Sequence, residues 1–427
     1  MIKKAVILAA GEGKRLRPLT YTRPKCMINI AGKPILHHVI DSLREAGVAE
    51  ALIVVKYLPQ TITDYFAKND VGVKLEFLAQ GEKYGTAAAF ECAKGKVGEA
   101  FFGVAGDIIT ESSAFKKLAA AHLAEKGKKD GAKITAALKS VEDPKEYGLA
   151  TVKGGYLESF VEKPKVAQSN LANCSLYVFE PEVFTQLGQV KPSSRGEYEI
   201  TDVLKSSKVA ACVISEFWLD MGMPWQLFAA NQFLLSKMSA KNLGTVENST
   251  IKGKLILGKN SKVLDSYIEG TVFVGENTEI GPHAYIRGTT SIGNNCSIGD
   301  STTVKNSIIF DHVNAKHLSY IGDSIIGQGC NFGAATQIAN YRFDAGHIKA
   351  TINEVVIDTN LKKLGAIIGD NCKLGVLSSI MPGKSVGDGS WIGANVMVEQ
   401  DVPRKTWVSF KQDVVTRPVP KGAKEIK

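Results

Sequence analysis

The sequence contains no apolar run that approaches the 18 residues of a membrane-spanning helix. Its apolar stretch near the start has six residues, which is too short for the core of a signal peptide. The seven cysteines are scattered and form no CxxC pair, which argues against a disulfide framework or a zinc site and favours free thiols. Basic blocks are also lacking, although the net charge of +9 would suit an anionic ligand. We therefore expect a cytoplasmic globular protein that binds neither membranes nor nucleic acids.

Residues 1–236 of the 427 alternate between short apolar runs and amphipathic stretches. Runs such as ALIVV at 51–55 are typical of strands, whereas 35–47 repeats its apolar residues every three or four positions, as a helix does. Residues 224–240 resemble a helix that closes this unit. The alternation predicts an α/β domain of Rossmann-like type with a mostly parallel sheet, which binds ligands beyond the carboxyl ends of its strands.

The second half of the chain follows a period of six residues. Apolar residues recur at this interval in two registers, and glycine follows most of them. The registers are Val274, Ile280, Ile286, Ile292, Ile298 and Val304, and then Ile368, Leu374, Ile380, Val386, Ile392 and Val398. This period fits neither an amphipathic helix nor an ordinary sheet ladder, and it predicts a parallel β-helix of stacked hexapeptides. By resemblance to other sequences with this pattern, we expect a left-handed coil and a homotrimer.

The two periodicities divide the chain into domains. We predict an α/β domain over 1–236, a linker over 237–245, a β-helix over 246–410 and a basic tail over 411–427. Within the β-helix the period is lost over 341–364, which we interpret as a projecting loop.

A glycine-rich turn follows the first strand in LAAGEGKRLRPLT, residues 8–20. Backbone N–H groups in such a turn can approach a phosphate, and Arg15 adds positive charge. The pattern continues through Pro24-Lys25 to GKP at 32–34. It resembles the signature LAAGxGxRLxPLTxxxPKxM…GKP of the sugar-1-phosphate nucleotidyltransferases. The resemblance implies nucleotide contacts from Leu8, Ala10, Gly11 and Gly13.

Later segments resemble further elements of that family in the same order. The family's base-reading segment is matched by Gln80, Gly85 and Thr86. Its sugar-holding segments are matched by Gly148, Glu162 and Asn173. The segments around Asp107 and Asp220 match the two that carry magnesium ligands. Two departures lie on the sugar side, where Cys174-Ser175 replaces Ala-Gly and Met223 replaces Thr.

The resemblance implies that a sugar-1-phosphate oxygen attacks the α-phosphate of a nucleoside triphosphate and that pyrophosphate leaves. Such a site mainly positions the reactants and neutralises charge. Asp107 and Asp220 offer the oxygen ligands that Mg²⁺ requires. Lys25 would contact the reacting phosphate, and Arg15 the β- and γ-phosphates. Uridine and thymidine share the edge that Gln80 would read, so both UTP and dTTP are candidate substrates.

The β-helix carries a second set of residues suited to chemistry. Arg287 and Lys305 occupy the position after the apolar residue, where glycine is usual. KHLSYIGD at 316–323, NFGA at 331–334 and ANY at 339–341 follow. This order resembles the acetyltransferase half of the bifunctional enzymes that make UDP-N-acetylglucosamine.

That resemblance implies acetyl transfer from acetyl-CoA to a sugar amine. His317 would be the base, because the amine must lose a proton as it attacks the thioester. Arg287 and Lys305 would hold the sugar phosphate. The resemblance also implies that the amino sugar contacts Tyr320, Asn331, Asn340 and Tyr341. The backbone of Ala334 would stabilise the oxyanion, and Ala394 would contact acetyl-CoA. The long loop resembles archaeal members, with Lys349, Lys362 and Lys363 as possible replacements for a ligand-binding lysine.

Three hypotheses follow. The leading one joins an acetyltransferase and a nucleotidyltransferase that use the same sugar phosphate in succession, glucosamine-1-phosphate or galactosamine-1-phosphate. A second keeps only the nucleotidyltransferase, with the β-helix for assembly or regulation. A third is a non-catalytic sensor subunit, which the presence of Arg15, Lys25, Asp107 and Asp220 argues against.

Overall fold

A computed structural model describes residues 2–144, 147–164, 166–413 and 415–418. Part of the predicted basic tail, including 419–427, lies outside these ranges. Two layered units follow one another: an α/β domain up to Lys237 and a coil of short parallel strands from Lys241 onward. Among the residues described, no helix has both the length and the apolar character needed to cross a membrane.

The α/β domain is built on a nine-stranded sheet with the order β5-β4-β1-β6-β11-β8-β12-β10-β9. Its strands, with two short pairs outside it, are β1 (Lys4–Ala9), β2 (Asn29–Ile30), β3 (Lys33–Pro34), β4 (Glu50–Val55), β5 (Lys74–Ala79), β6 (Phe101–Ala105), β7 (Ile108–Thr110), β8 (Ile134–Ser140), β9 (Gly148–Lys153), β10 (Tyr156–Glu162), β11 (Leu171–Phe179), β12 (Val209–Val213) and β13 (Trp218–Asp220). The helices are α1 (Ile35–Glu45), α2 (Pro59–Lys68), α3 (Thr86–Glu91), α4 (Ser112–Lys126), α5 (Val183–Leu187), α6 (Ile200–Ser206) and α7 (Gln226–Lys237).

The parallel part of the sheet is β5-β4-β1-β6, and β4, β1 and β6 are nearly continuous apolar runs. Runs of this kind are expected where helices cover both faces of a sheet. β11 joins β6 in the antiparallel direction and begins the second half of the sheet. The carboxyl ends of β1 and β6 therefore meet at one edge, where the glycine-rich turn and Asp107 emerge.

The second unit is a β-helix with three faces. The first face stacks Thr303–Lys305, Tyr320–Gly322, Gln337–Ile338, Ser379–Ile380 and Met397–Val398. The second face stacks Ile308–Ile309, Ile325–Ile326, Ile367–Ile368 and Ser385–Val386. The third face stacks Thr245–Glu247, Lys262–Leu264, Glu279–Ile280, Ser297–Ile298, Asn314–Ala315, Asn331–Phe332, Lys373–Leu374, Trp391–Ile392 and Trp407–Val408. In the first coils, Thr250–Leu257, Tyr267–Val274 and Tyr285–Ile292 run unbroken across the first two faces.

The periodic apolar residues form the core of this coil. All twelve positions of the two registers are at most 4% exposed. Each coil therefore buries its apolar side chains against those of the coils above and below, as stacked repeats do. The predicted α/β domain followed by a parallel β-helix of hexapeptide repeats is confirmed.

The segment 341–364 is inserted between a strand of the first face, Gln337–Ile338, and a strand of the second, Ile367–Ile368. Gln337 pairs with Ser379, 42 residues later, which equals one 18-residue coil plus the 24 residues of this segment. The segment is more than a loop, because Lys349–Ile352 and Val355–Asp358 form an antiparallel hairpin, here called the insertion hairpin. At the base of this hairpin, Ile348 and Leu364 pack against Trp225, which precedes α7, and Phe228, which lies on α7.

The second face packs against the α/β domain. Ile308, Phe310, Ile325 and Ile367 belong to the same buried cluster as the α/β core. At this junction Arg23 lies over the Phe310 ring, 5.0 Å from its centroid, and forms an ion pair with Asp370. The two domains therefore share an apolar interface.

Candidate active sites

Lys25, Asp107 and Asp220 meet at the carboxyl edge of the α/β sheet. Lys25 Nζ lies 2.7 Å from Asp107 Oδ2 and 3.3 Å from Asp220 Oδ1. Asp107 follows β6, and β13 pairs with β7 so that Asp220 stands opposite Ile108. The short β13–β7 pair thus brings the second carboxylate to the first.

Lys25 keeps its positive charge in this site. Burial alone would lower the pKa of Lys25, but the carboxylates of Asp107 and Asp220 outweigh burial and raise that pKa above its usual value. The site therefore holds a buried ammonium group between two carboxylates, which suits the binding of a phosphate oxygen next to a cation.

The two carboxylates also fit a magnesium ion. Asp107 lies between β6 and β7, Asp220 lies on β13, and both offer oxygen donors beside Lys25 Nζ. Within the described ranges, no group of three or more His, Cys, Asp or Glu side chains is placed to hold a metal. Mg²⁺ is commonly held by one or two carboxylates together with waters and substrate phosphates, so two protein ligands are sufficient.

The glycine-rich turn packs directly on Lys25. Gly13 adopts φ +70°, and a Cβ there would lie 2.7 Å from the Lys25 Cβ, so glycine is required. A Cβ at Gly11, in contrast, would meet nothing within 4 Å, which leaves space for a ligand beside the backbone. The Arg15 guanidinium reaches to Gly222, 3.6 Å from where a Cβ would stand. Leu8 and Ala10 flank the end of β1, at the start of the turn.

The residues predicted to read the base form a second loop beside this edge. Gln80 is buried, and its amide donates to the carbonyl oxygens of Lys83 (3.0 Å) and Gly85 (3.3 Å). These contacts fix the orientation of the amide. Gly85 has φ +124°, and a Cβ there would clash with the Tyr198 backbone. The Thr86 hydroxyl accepts from the Ile200 N–H at 2.9 Å and so ties α3 to α6.

The predicted sugar residues lie on β9, β10 and β11. A Cβ at Gly148 would lie 2.6 Å from Glu162 Oε2, so these two residues touch. Desolvation raises the pKa of Glu162. The Asn173 amide donates to the Tyr177 hydroxyl at 2.6 Å. Ser175 has φ +52° in a bulge of β11, a conformation that favours glycine and explains why glycine is usual at this position.

The first face of the β-helix gathers the second set of residues around Asp323. Lys305 Nζ lies 3.3 Å from Asp323 Oδ2, and the Asn340 amide donates to the same oxygen at 2.5 Å. Asn340 also donates to the Tyr320 hydroxyl at 3.2 Å. A Cβ at Gly322 would lie 2.6 Å from both partners of that bond, so glycine makes room for this cluster.

Arg287 extends the cluster by one coil. It stands in register between Glu269 and Lys305 and lies over the Tyr285 ring, 5.2 Å from the centroid. Within the part of the chain that the structure describes, its Nε is buried and has no hydrogen-bond partner. A buried donor of this kind is costly unless a ligand satisfies it, which suits an anionic group such as a phosphate.

His317 lies at the corner between the third and first faces. Its Nδ1 is 3.5 Å from Asp300 Oδ2, and its side chain is 59% exposed. Leu377 donates to the Ala334 carbonyl at 2.9 Å, and Ala335 donates to that of His317 at 3.1 Å. Ala394 lies one coil beyond Gly375. The corner therefore carries His317, Ala334 and Ala394 along one edge, next to exposed apolar side chains such as that of Leu318.

Two residues predicted to contact the amino sugar, Asn331 and Tyr341, lie away from the Asp323 cluster of the same chain. Asn331 is on the third face, in register between Asn314 and Lys373. Tyr341 leaves the coil and pairs with Lys363, whose Nζ lies 5.9 Å from the Tyr341 ring centroid.

Two carboxylates were not assigned from the sequence. Asp300 lies beside His317, and Asp323 joins Lys305 to Asn340. Each stands 17 or 18 residues from its partner, which is the length of one coil. Spacing by whole coils would therefore have identified both.

Comparisons with known proteins agree with the division of the chain into an α/β domain and a β-helix. The nucleotidyl transferase family profile matches residues 4–237. In the β-helix, the GMPPB C-terminal domain matches 268–374 and the hexapeptide repeat of succinyl-transferase matches 365–400. Among solved structures, the chain resembles a Bacillus anthracis protein provisionally assigned as a glucose-1-phosphate thymidylyltransferase and solved with sucrose, with a TM-score of 0.50 and 25% identity over 57% of this chain and 98% of that one.

Curated relatives match almost the whole chain. The "Bifunctional protein GlmU" of Methanocaldococcus jannaschii is 39% identical over 97% of this chain and 99% of its own. The "Bifunctional sugar-1-phosphate nucleotidylyltransferase/acetyltransferase" of Sulfurisphaera tokodaii is 34% identical over 93% and 98%. With a nucleotidyl transferase domain, a hexapeptide-repeat domain and relatives of this kind along its length, the chain belongs to the bifunctional nucleotidyltransferase/acetyltransferase family.

Proposed function

We propose that the chain acetylates an amino-sugar-1-phosphate with acetyl-CoA and then transfers a uridylyl group from UTP to the product, which yields a UDP-N-acetylhexosamine. Glucosamine-1-phosphate is the first acceptor to test and galactosamine-1-phosphate the second. The observation that carries this proposal is the cluster of Arg287, Lys305, Asp323 and Asn340 on the first face. A β-helix used only for assembly has no need of a partly buried arginine, with a buried Nε that has no partner among the described residues, beside a lysine.

The nucleotidyl transfer site would work by positioning and charge. Asp107 and Asp220 would hold Mg²⁺, which supplies Lewis-acid stabilisation of phosphate oxygens when it is bound. Lys25 would leave its carboxylate partners to contact the α-phosphate oxygens, and Arg15 would hold the departing pyrophosphate. Gln80 would donate to or accept from the edge of the base, with dTTP as the alternative to UTP.

The sugar would be held by residues of β9, β10 and β11. Glu162 and Asn173 lie on β10 and β11, and both offer groups that bind hydroxyls. Gly148 would let the sugar approach the backbone beside Glu162. The altered positions Ser175 and Met223 border this region, which makes sugar choice the property to measure directly.

The acetyl transfer site would use His317 as its base. Asp300 is placed to keep the proton on Nδ1, which leaves Nε2 free to accept a proton from the sugar amine. Arg287 and Lys305 would bind the sugar phosphate, and Tyr320 and Asn340 the amino sugar. The Ala334 N–H would stabilise the oxyanion, and Ala394 would line the path of acetyl-CoA.

A homotrimer would complete this second site. Trp391, Met397 and Trp407 leave half or more of their surfaces exposed on the coil, which is unusual for large apolar side chains. Asn331 and Tyr341 would then serve the cluster of a neighbouring chain. Light scattering at micromolar concentration should give three times the mass of the chain, and a monomeric mass would contradict this part of the proposal.

The decisive experiment measures two products separately. Release of CoA is followed with a thiol reagent, corrected for the protein's own cysteines, after acetyl-CoA is added with either amino-sugar-1-phosphate. Release of pyrophosphate is followed from UTP, or dTTP, with N-acetylglucosamine-1-phosphate. We expect turnover in both assays and loss of the first alone in His317→Ala.

His347→Ala is the matched control, because His347 is also an exposed histidine beside an aspartate but lies outside the cluster. It should retain both activities. Absence of CoA release while pyrophosphate release persists would limit the chain to nucleotidyl transfer and would give the β-helix a role in assembly or regulation.

A further inference from the structure

A cavity of about 540 Å³ lies between the two domains. On one side is the glycine-rich turn with Lys14, Arg15 and Arg17, and on the other the last coils of the β-helix with Arg404. The tip of the insertion hairpin, with Glu354, forms a third wall. The cavity therefore borders the nucleotidyl transfer site but is built partly from the acetyltransferase domain.

Four cationic side chains face this cavity, and four acids lie on it or beside it. Glu12 pairs with Lys14 and Arg17, and Asp388 lies 3.0 Å from Arg404. Glu354 and Asp401 also line the cavity, and Asp401 accepts from the Ser385 N–H at 2.6 Å. Among the described residues, no carboxylate pairs with Arg15. The charge of Arg15 is therefore available to an anionic ligand, which the guanidinium groups of Arg17 and Arg404 could also contact.

Tyr21 brings cations of both domains together. The Arg17 guanidinium lies 4.9 Å from the centroid of the Tyr21 ring and that of Arg404 lies 4.4 Å from it. Two like charges on one ring repel each other, and an anion bound between them would relieve that repulsion. Guanidinium groups also match phosphate oxygens in geometry and can bind them in pairs.

The insertion hairpin fixes this wall in place. Its base packs on α7, which follows the segment that carries Asp220, and its tip at Asn353 and Glu354 lines the same cavity as the glycine-rich turn. Both tip residues have positive φ, 48° and 68°, as a tight two-residue turn requires. The hairpin therefore contacts the α/β domain at α7 and faces the glycine-rich turn across the cavity.

We propose that this cavity binds the pyrophosphate end of the nucleotide and that Arg404, from the β-helix, is an additional binding residue for it. The ligand class is a di- or triphosphate chain, which Arg404 would hold together with Lys14 and Arg15. The inference rests on the proposed nucleotidyl transfer. It means that the acetyltransferase domain forms part of the nucleotidyltransferase site.

The test uses the full chain with Arg404→Ala, Arg404→Lys and Lys405→Ala. Lys405 is the matched control, because it is the next residue and exposed but does not line the cavity. In the reverse reaction, Arg404→Ala should raise KM for inorganic pyrophosphate about tenfold, since one charge-assisted contact is lost. KM for the sugar nucleotide should stay within about twofold. Arg404→Lys should recover part of the loss, and Lys405→Ala should match the unaltered chain.

Acetyl transfer serves as the folding control and should be unchanged in all three variants. An unchanged KM for pyrophosphate in Arg404→Ala would overturn the proposal, as would an equal effect of Lys405→Ala.

Calorimetry with inorganic pyrophosphate and Mg²⁺ separates this inference from the proposed function. If the unaltered chain showed no nucleotidyl transfer, the proposed function would fail. Weaker pyrophosphate binding by Arg404→Ala would then still support the cavity as a pyrophosphate subsite, and equal binding by both proteins would reject it.

Discussion

The two candidate sites are assembled in opposite ways. In the α/β domain, Lys25 and Asp220 are 195 residues apart in the chain and meet only because β13 pairs with β7. In the β-helix, Lys305, Asp323 and Asn340 follow one another at intervals of 18 and 17 residues. The first site depends on the packing of a whole domain, whereas the second repeats the geometry of one coil.

This difference affects the charge balance of each site and the effect of substitutions in it. The α/β site holds one lysine between two carboxylates, so removal of Lys25 leaves both carboxylates without their shared cation. The β-helix site lies on a face of stacked coils, each of which contacts only its neighbours. We therefore expect changes in the α/β site to be severe and confined to one reaction, and changes in the coil to be graded.

Removal of divalent metal gives the largest expected difference between the sites. Chelation with EDTA should lower nucleotidyl transfer by about a thousandfold, because charge on the phosphates would no longer be neutralised by a metal. Acetyl transfer should be unaffected, because its proposed base is His317. Both rates are measured in the same preparation, and added Mg²⁺ should restore the first. Equal loss of both reactions would contradict the separation of the sites.

Shortening of a core side chain in the coil should have the next largest effect. Ile326 is fully buried between neighbouring coils, and Ile326→Ala should destabilise the β-helix by about 2–5 kcal/mol. The measurement is denaturant unfolding followed by loss of CoA release and of pyrophosphate release. Val355→Ala, at a 61% exposed position of the insertion hairpin, should change stability by less than about 0.5 kcal/mol. Similar midpoints for the two variants would show that the core does not limit stability.

Asp323→Asn probes the positioning of Lys305 and Asn340 within the coil. Loss of the carboxylate should lower kcat/KM of acetyl transfer about tenfold, mainly through a higher KM for the amino-sugar-1-phosphate, because the two ligand-binding side chains lose their shared acceptor. Nucleotidyl transfer should be unchanged. Asp358→Asn, an exposed aspartate of the insertion hairpin, is the control and should retain normal kinetics. A lower kcat with an unchanged KM would argue against a positioning role.

Ser175→Gly should give the smallest effect and the opposite sign. Ser175 has φ +52°, which costs a residue with a Cβ about 1–2 kcal/mol. Glycine removes that cost but gains about 0.5–1 kcal/mol of unfolded-state entropy. A net stabilisation of about 0.5–1 kcal/mol should raise Tm of the α/β domain by about 1–3 °C. Ser175→Ala should give no increase, and an equal increase in both variants would exclude a backbone origin.

Local patterns predicted most of the fold. The period of six placed twelve side chains in the core of the coil, and all twelve are buried. The short apolar run at 51–55 lies within β4. Both patterns report on burial of residues close in the chain, so the sequence contains them directly.

Features that depend on distant contacts were not predicted. The segment 341–364 was interpreted as a loop, but it holds a hairpin that packs on α7, because its apolar residues find partners in the other domain. Asp300 and Asp323 were not assigned, since each is recognised only when coils are stacked. Arg404 has no distinguishing motif, and its proposed role follows only from the cavity that it lines.

The sequence by itself determined the two architectures, the family and the inventory of charged groups, because periodicity and signature segments are properties of neighbouring residues. Only the tertiary structure decided which charges meet. It brought Asp107 and Asp220 to Lys25 through strand pairing, and it set Arg404 of the β-helix beside Arg17 across the Tyr21 ring. The physical reason is that electrostatic and hydrogen-bond energies fall off within a few ångströms, so they follow from packing and not from distance along the chain.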